Sequence, residues 1–241
     1  RRLIAIETTT KEATLFSPHG PLTREELELV QPAASCLALE ALLPPRATKI
    51  GSQWPLPDAT VARLLGLEAI SQQDIVGTLD SVKENVAILS LAGKVAGSVG
   101  GVSSDIELKG KMNFDLKQRG VTWLTLGMQE NRAIGHAQPG FEIATKLRMV
   151  AAPANPVAEL SDKALAGISL KPDSSQTLIE LTSESGGFQL AHDRRWNVML
   201  ERNDLTVLRL VDRGDLIAQC NITPRPALAK DEQDRKSTRL N

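Results

Sequence analysis

Residues 105–116 read DIELKGKMNFDL, and this stretch decides the fold. Apolar side chains stand at alternate positions, with charged or amide side chains between them. Because successive side chains of a β-strand point to opposite faces, the alternation predicts a strand with one apolar and one solvated face. Glu107 and Asp115 share the polar face with Lys109 and Lys111, so we interpret them as solvated surface rather than as a catalytic carboxylate pair.

The same alternation extends on both sides of this stretch, from about residue 73 to residue 152. Turn residues interrupt it at 83–85, 100–101, 117–120 and 136–140, which predicts about five long antiparallel strands. Long strands must twist and coil, and the glycines at positions 93, 97, 110 and 127 stand where a bend is easiest. We therefore predict a mainly β (α+β) chain built on a strongly curved antiparallel meander, a half-barrel.

Two short amphipathic helices are predicted before the meander. The first covers residues 35–43, with Ser35 as its N-cap and Pro44 at its end. The second covers residues 58–67, with Asp58 as its cap and an interruption at Gly66. We expect both helices near the concave side or the mouth of the curved sheet.

The composition changes after residue 152. Residues 153–176 predict a linker with one helical turn at 161–165, and residues 177–230 alternate again in shorter strands. These short strands make half a domain at best, and the chain opens on Arg1 rather than on Met. We predict a curved β domain over 1–152, a truncated second β-rich domain over 177–230, and a disordered or artefactual tail over 231–241.

Charge and hydropathy exclude several classes of function. The chain of 241 residues carries 28 Lys and Arg against 29 Asp and Glu, and 41% of its residues are hydrophobic. This balance lacks the basic footprint of a nucleic-acid-binding protein and has the profile of a globular one. No apolar run approaches the ~20 residues that a membrane-spanning helix needs. We therefore expect neither a nucleic-acid partner nor a transmembrane segment in this fragment.

Motifs for catalysis and for cofactor binding are absent from the sequence. His19, His136 and His192 lie far apart, and no His or Cys pair has the spacing of metal ligands. Neither a phosphate-binding glycine loop nor a Gly-x-Ser-x-Gly motif is present. We expect no cofactor, no metal and no catalytic residue. A hydrolase whose site is dispersed over distant residues is the less favoured alternative.

The remaining polar motifs are interpreted as structural. Arg194 and Arg195 would grip an anion together only in a suitable turn, and we interpret 192–195 as an ordinary turn. Residues 213–215 read RGD, which is typical of a hairpin turn here rather than of an adhesion site. We interpret Cys36 and Cys220 as free, buried hydrophobic residues, and a disulfide between them stays open.

Two parts of the chain resemble known families. The residues LLPP at 42–45, IGSQW at 50–54, the strand over 110–116 and the turn at Gly120 resemble a family of uncharacterised bacterial proteins, many of them exported to the envelope. This resemblance covers about residues 1–152. Residues 177–223 are more weakly similar to the start of a small α+β domain of the photosystem P-type extrinsic protein class. Neither resemblance carries catalytic residues to this chain.

The preferred hypothesis is a non-catalytic envelope protein whose curved sheet binds a lipid-like apolar ligand, a peptide or a protein partner. The candidate lining residues are Met112, Phe114, Leu126, Phe141 and Met149. The alternative is that these side chains form a filled core. A second hypothesis is a structural or interaction module of a larger envelope assembly. A periplasmic or envelope location follows from the resemblance alone.

Overall fold

A computed structural model describes residues 3–8, 13–30 and 39–224 of the chain. The described part is mainly β, with antiparallel sheets and three α-helices, which confirms the predicted fold class at this level. No helix among these residues combines the length and the apolar character needed to cross a membrane. The predicted tail at 231–241 lies outside the described residues.

A seven-stranded antiparallel sheet forms the centre of the chain. Its strands are β3 (Gln53–Pro55), β4 (Ala69–Gln73), β5 (Val76–Lys83), β6 (Val86–Val99), β7 (Val102–Asp115), β8 (Gly120–Arg132) and β9 (Phe141–Val150). The order is β3-β5-β6-β7-β8-β9, and β4 pairs with the far half of β6. The five consecutive strands predicted between residues 73 and 152 are therefore confirmed.

β4 and β5 pair with the same side of β6, and the chain between them is interrupted opposite Gly93. Asp74 donates its backbone N–H to the carbonyl of Lys94 over 3.0 Å, and the Asp74 carboxylate accepts the backbone N–H of Lys94. Gly93 has a φ of +149°, and a Cβ there would lie 2.6 Å from Cα of Ile75. Only glycine permits this close approach, which lets a single strand, β6, pair with both β4 and β5.

One face of the sheet is buried beneath helix α2 (Asp58–Leu65) and the residues that precede it. Val61 and Leu64 on this helix are fully buried. The core contributed by the strands consists of apolar side chains with at most 4% exposure, from β6, β7 and β8: Leu89, Leu91, Val95, Ile106, Leu108, Met112, Leu124 and Leu126. The alternation that predicted one apolar face thus describes the side that α2 covers.

The structure corrects the bounds of both predicted helices. α2 ends at Leu65 because Gly66 adopts a left-handed conformation, with φ of +71°, and residue 67 already donates back to Ala62. Its N-cap is Pro57, so Asp58 is the first helical residue. Of the helix predicted over 35–43, residues 35–38 lie outside the described residues. The rest contains a short 3-10 helix, Glu40–Leu42, that ends before Pro44.

Trp54 joins the segment before α2 to the sheet. Its indole N–H donates to the carbonyl of Leu42 over 3.2 Å, and its side chain is buried. The ring lies directly against Gly77 on β5, where an added Cβ would stand 2.5 Å from two ring carbons. Gly77 therefore provides the space that the indole occupies.

We expect Gly77→Ala to lower the free energy of unfolding by about 1–3 kcal/mol, because the methyl group overpacks the site that Trp54 fills. The matched control is Gly127→Ala on β8, where the nearest atom to an added Cβ is 3.7 Å away. Urea unfolding, followed by tryptophan fluorescence, measures both. Equal stabilities for the two variants would contradict this packing.

The N-terminal elements pack against the C-terminal part of the chain. β1 (Ala5–Thr8) pairs with β2 (Ala13–Phe16), and α1 (Arg24–Val30) follows. Leu22 bridges Ile179 in parallel fashion, and both are buried with Leu27. The predicted boundaries at 152 and 176 stay a prediction, although these contacts join residues on both sides of them.

The C-terminal part consists of two small antiparallel sheets. β10 (Ile179–Ser183) pairs with β11 (Phe188–His192), and β12 (Trp196–Glu201), β13 (Thr206–Asp212) and β14 (Asp215–Ile222) form a three-stranded sheet. Before them, the predicted helical turn is present as α3 (Asp162–Leu165), where the hydroxyl of Ser161 accepts the backbone N–H of Ala164.

Candidate functional site

A groove of about 880 Å³ crosses the solvent-exposed face of the central sheet, opposite the core. It runs over five strands, β4, β6, β7, β8 and β9, at the end of the sheet distant from the β5–β6 turn. Its volume lies within the range of ligand-binding clefts in proteins. We call this feature the polar groove.

Two rows of side chains line the polar groove, because the strand register aligns residues across the sheet. The first row consists of Asp74, Lys94, Glu107, Gln129 and Ala144, and the second of Gln72, Ala96, Asp105, Asn131 and Glu142. Between the rows lies the backbone of the residues whose side chains point to the opposite face. A ligand in the groove would therefore meet carboxylates, side-chain amides and two alanines.

The polar groove is acidic. Its two rows contain four carboxylates and a single ammonium group, that of Lys94. Glu107 lies 3.1 Å from the ammonium of Lys109 and 3.7 Å from that of Lys94. The hydrogen bond and the charge of Lys109, followed by the charge of Lys94, lower the pKa of Glu107. Glu107 is thereby held in its ionised form at neutral pH.

A polar network supports the sheet directly behind the polar groove. The Glu130 carboxylate accepts the hydroxyl of Ser104 over 2.6 Å, and the same oxygen accepts two N–H groups of Arg132. Ser104 is fully buried, and the side chains of Glu130 and Arg132 are 18% and 15% exposed. The Arg132 guanidinium lies 4.7 Å from the ring centre of Phe141. The network fixes β7, β8 and β9 relative to one another.

The five residues predicted to line an apolar site occupy different environments. Met112 and Leu126 are fully buried in the core, and Phe114 and Met149 are partly buried and pack against that core. Phe141 is 39% exposed beside Arg132. None of the five lines the polar groove. They share one face of the sheet, and the groove lies on the other.

Arg194 and Arg195, the densest polar cluster of the sequence, form the predicted turn and face in different directions. Arg194 donates to the carbonyls of Thr177 and Leu15, and the neighbouring Arg24 donates to the carbonyls of Arg194 and Trp196. Burial, more than their mutual repulsion, lowers the pKa of Arg194, and burial also lowers that of Arg24. These two arginines connect the N-terminal elements to the C-terminal strands.

Arg195 instead pairs with Asp193 over 3.0 Å and with Asp212 over 3.6 Å. The hydrogen bond from the Arg195 side chain lowers the pKa of Asp193. Residues 213 and 214 form the turn between β13 and β14, as predicted.

The prediction of a buried cysteine is wrong for Cys220. Its thiol is free and exposed on β14, an edge strand of the three-stranded sheet. Its register partner Leu208 on β13 is buried, so the same face is covered over the central strand but exposed at the edge, and alternation along β14 does not mean burial. Cys36 lies outside the described residues.

The polar groove was missed because its residues looked like an ordinary solvated face. Polar alternation along each strand was visible, but the order and register that align Asp105 with Asn131 and Glu142 depend on pairing between strands.

Among the described residues, no group of three His, Cys, Asp or Glu side chains is arranged to hold a metal ion. His192 Nδ1 lies 2.8 Å from the backbone carbonyl of Asp193.

Comparison of the chain with protein-family models, with curated proteins and with solved structures finds no match.

We expect Glu130→Gln to lower the free energy of unfolding by about 1–3 kcal/mol, because the half-buried Arg132 loses the charge that it pairs with. Asp105→Asn is the matched control: this exposed residue is on the adjacent strand and has no ion pair among the described residues. We expect it to change stability by less than about 0.5 kcal/mol. Urea denaturation at neutral pH distinguishes the two, and an unaltered midpoint for Glu130→Gln would refute the role of this network.

Proposed function

We propose that this chain is a non-catalytic binding protein whose polar groove receives a positively charged, extended partner such as a basic peptide segment. The observation that carries the proposal is the groove itself, with two adjacent rows of carboxylates and amides on one face of the sheet. The amides of Gln72, Gln129 and Asn131 each offer a donor and an acceptor, which suits the alternating N–H and C=O groups of a peptide backbone. The surplus of carboxylates favours Lys or Arg side chains.

The proposal moves the ligand from the apolar face to the polar one. Met112 and Leu126 have no exposed surface, so they are out of reach of a ligand while α2 covers the sheet. The polar groove is open to solvent along its length. We further propose that the long strands coil into a strongly curved half-barrel that holds the groove on its open side, and that residues 177–224 belong to a second β-rich domain.

The setting of this function rests on the resemblance of residues 1–152 to bacterial envelope-associated proteins. On that basis we place the protein in the periplasm or envelope, where it would bind a partner rather than transform a substrate. A role as an interaction module of a larger envelope assembly is the related alternative. The polar groove serves either role, because both need a surface that recognises a second chain.

The test uses fluorescein-labelled hexalysine, with hexaglutamate and an uncharged Gly/Ser hexapeptide as comparisons, in fluorescence anisotropy titrations. We expect hexalysine to bind most tightly and its affinity to fall as salt is added, because screening weakens attraction between exposed charges. The double variant Asp105→Asn, Glu107→Gln is expected to weaken hexalysine binding roughly tenfold, because it removes two of the four carboxylates in the rows of the groove.

The matched control removes two carboxylates elsewhere, Glu159→Gln and Glu184→Gln, which are exposed and outside the polar groove. This variant has the same net charge as the groove variant. Equal binding by the two variants would mean that net charge, not the groove, attracts the peptide. Equal affinity for hexalysine and hexaglutamate would also sink the proposal.

A further inference from the structure

β9 is a long edge strand whose outer side has no partner among the described residues. It spans ten residues, pairs only with β8, and contains no proline. Ala151, just after β9, donates its N–H to Thr122 over 2.9 Å, which continues the β8–β9 register. In an antiparallel pair, hydrogen-bonded residues alternate with residues whose N–H and C=O point away. The odd-numbered residues of β9 therefore bond to β8, and the even-numbered ones face outward.

This free edge is self-complementary. Glu142 lies near one end of the strand and Arg148 near the other, both exposed on the polar face, and neither forms an ion pair within the described part of the chain. On the opposite face, Phe141 and Ile143 are 39% and 49% exposed. An exposed edge of this length is a template for pairing with another strand.

We propose that β9 pairs antiparallel with β9 of a second copy of this chain, with Thr145 at the two-fold axis. Residues whose numbers add to 290 then face each other. Glu142 of one copy lies opposite Arg148 of the other, and this ion pair occurs twice. Ile143 faces Leu147, and Phe141 faces the methionine at position 149, so the apolar face is continued across the junction.

The backbone supports the same register. The opposed pairs 142/148 and 144/146 involve even-numbered residues, whose N–H and C=O groups are the ones that point outward. They can form the hydrogen-bonded rings of an antiparallel ladder. Thr145 meets its own copy in a non-hydrogen-bonded pair, where side chains approach most closely. Four strand residues on each side of the axis take part.

Shifting the register by one step in either direction is less favourable. A centre at Lys146 would place the two Lys146 ammonium groups directly opposite each other, which is destabilising. A centre at Ala144 would shorten the overlap to 141–147 and leave Arg148 facing Gly140, outside the strand. The register about Thr145 combines the longer overlap with opposite charges.

This inference does not require the proposed function, since it rests on the edge and the charges of β9, although Glu142 belongs to both the edge and the polar groove. It nevertheless has a consequence for the groove. A two-fold axis perpendicular to the sheet keeps the polar faces of both copies on the same side. The two grooves then lie on one continuous sheet, and each ends at a Glu142 that is paired with Arg148 of the second copy.

The first test is a charge-swap series in sedimentation velocity over a range of protein concentrations. We expect Glu142→Arg and Arg148→Glu each to raise the dimer dissociation constant roughly tenfold or more, because two attractive pairs become repulsive. The double variant Glu142→Arg, Arg148→Glu recreates both pairs in reverse and is expected to recover the wild-type dissociation constant. Lys111→Glu, on the same face of β7 away from the edge, is the matched control and leaves it unchanged.

The second test fixes the register by disulfide crosslinking in a background of Cys36→Ser and Cys220→Ser. Thr145→Cys places two thiols opposite each other at the axis, within the Cα separation that a disulfide needs. We expect mild oxidation to convert it to a covalent dimer. In this register residue 144 of one copy faces residue 146 of the other. The single variants Ala144→Cys and Lys146→Cys therefore do not bring two thiols opposite each other, and each is expected to crosslink at least tenfold more slowly than Thr145→Cys.

Three outcomes would overturn the inference. A wild-type chain that stays monomeric at every soluble concentration has no such dimer. A dimer that tolerates both single charge reversals is held by another surface. Faster crosslinking of the 144 or 146 variant than of the 145 variant refutes the register. Far-ultraviolet circular dichroism of every variant separates these outcomes from unfolding.

Discussion

The burial of one face of the central sheet beneath α2 is the contact on which the other features of the meander depend. Each fully buried leucine on β6, β7 and β8 contributes about 1.5–3 kcal/mol through removal from water. Once that face is committed to the core, strand alternation requires every intervening residue to face solvent. The polar groove lies on this second face, where its charged side chains stay hydrated and incur no desolvation penalty.

Two glycines and one tryptophan position α2 and the residues before it over the sheet. Gly93 allows the chain to break between β4 and β5 while β6 continues past both, and Gly77 leaves room for the ring of Trp54. The indole N–H bonds to Leu42, so the chain before α2 is held at both ends of its path across the sheet. Each of these contacts joins residues that are distant in sequence.

Sequence alone was sufficient for the five long strands between residues 73 and 152 and for the face that their side chains take, but it did not predict β3 and β4. The stretch at 105–116 predicts which residues are polar-facing, and the structure confirms them. It was insufficient wherever the answer depends on a distant partner. Met112 and Phe141 follow the same alternation, yet Met112 is buried in the core and Phe141 is 39% exposed beside Arg132. The rows of the polar groove likewise depend on the register between strands. The end of α2 at Leu65 depends on the left-handed conformation of Gly66.

The contact between the two ends of the chain has a consequence for folding. Arg24 bonds to carbonyl groups 170 and 172 residues later, and Arg194 reaches back to Leu15. Closing such long loops is slow compared with forming the hairpins of the meander, whose contacts are local. During synthesis the β1–β2 hairpin emerges well before its packing partners, since Arg24 and the carbonyl of Arg194 that it bonds are separated by 170 residues. Within the described chain, this hairpin is therefore among the last elements to reach its final packing.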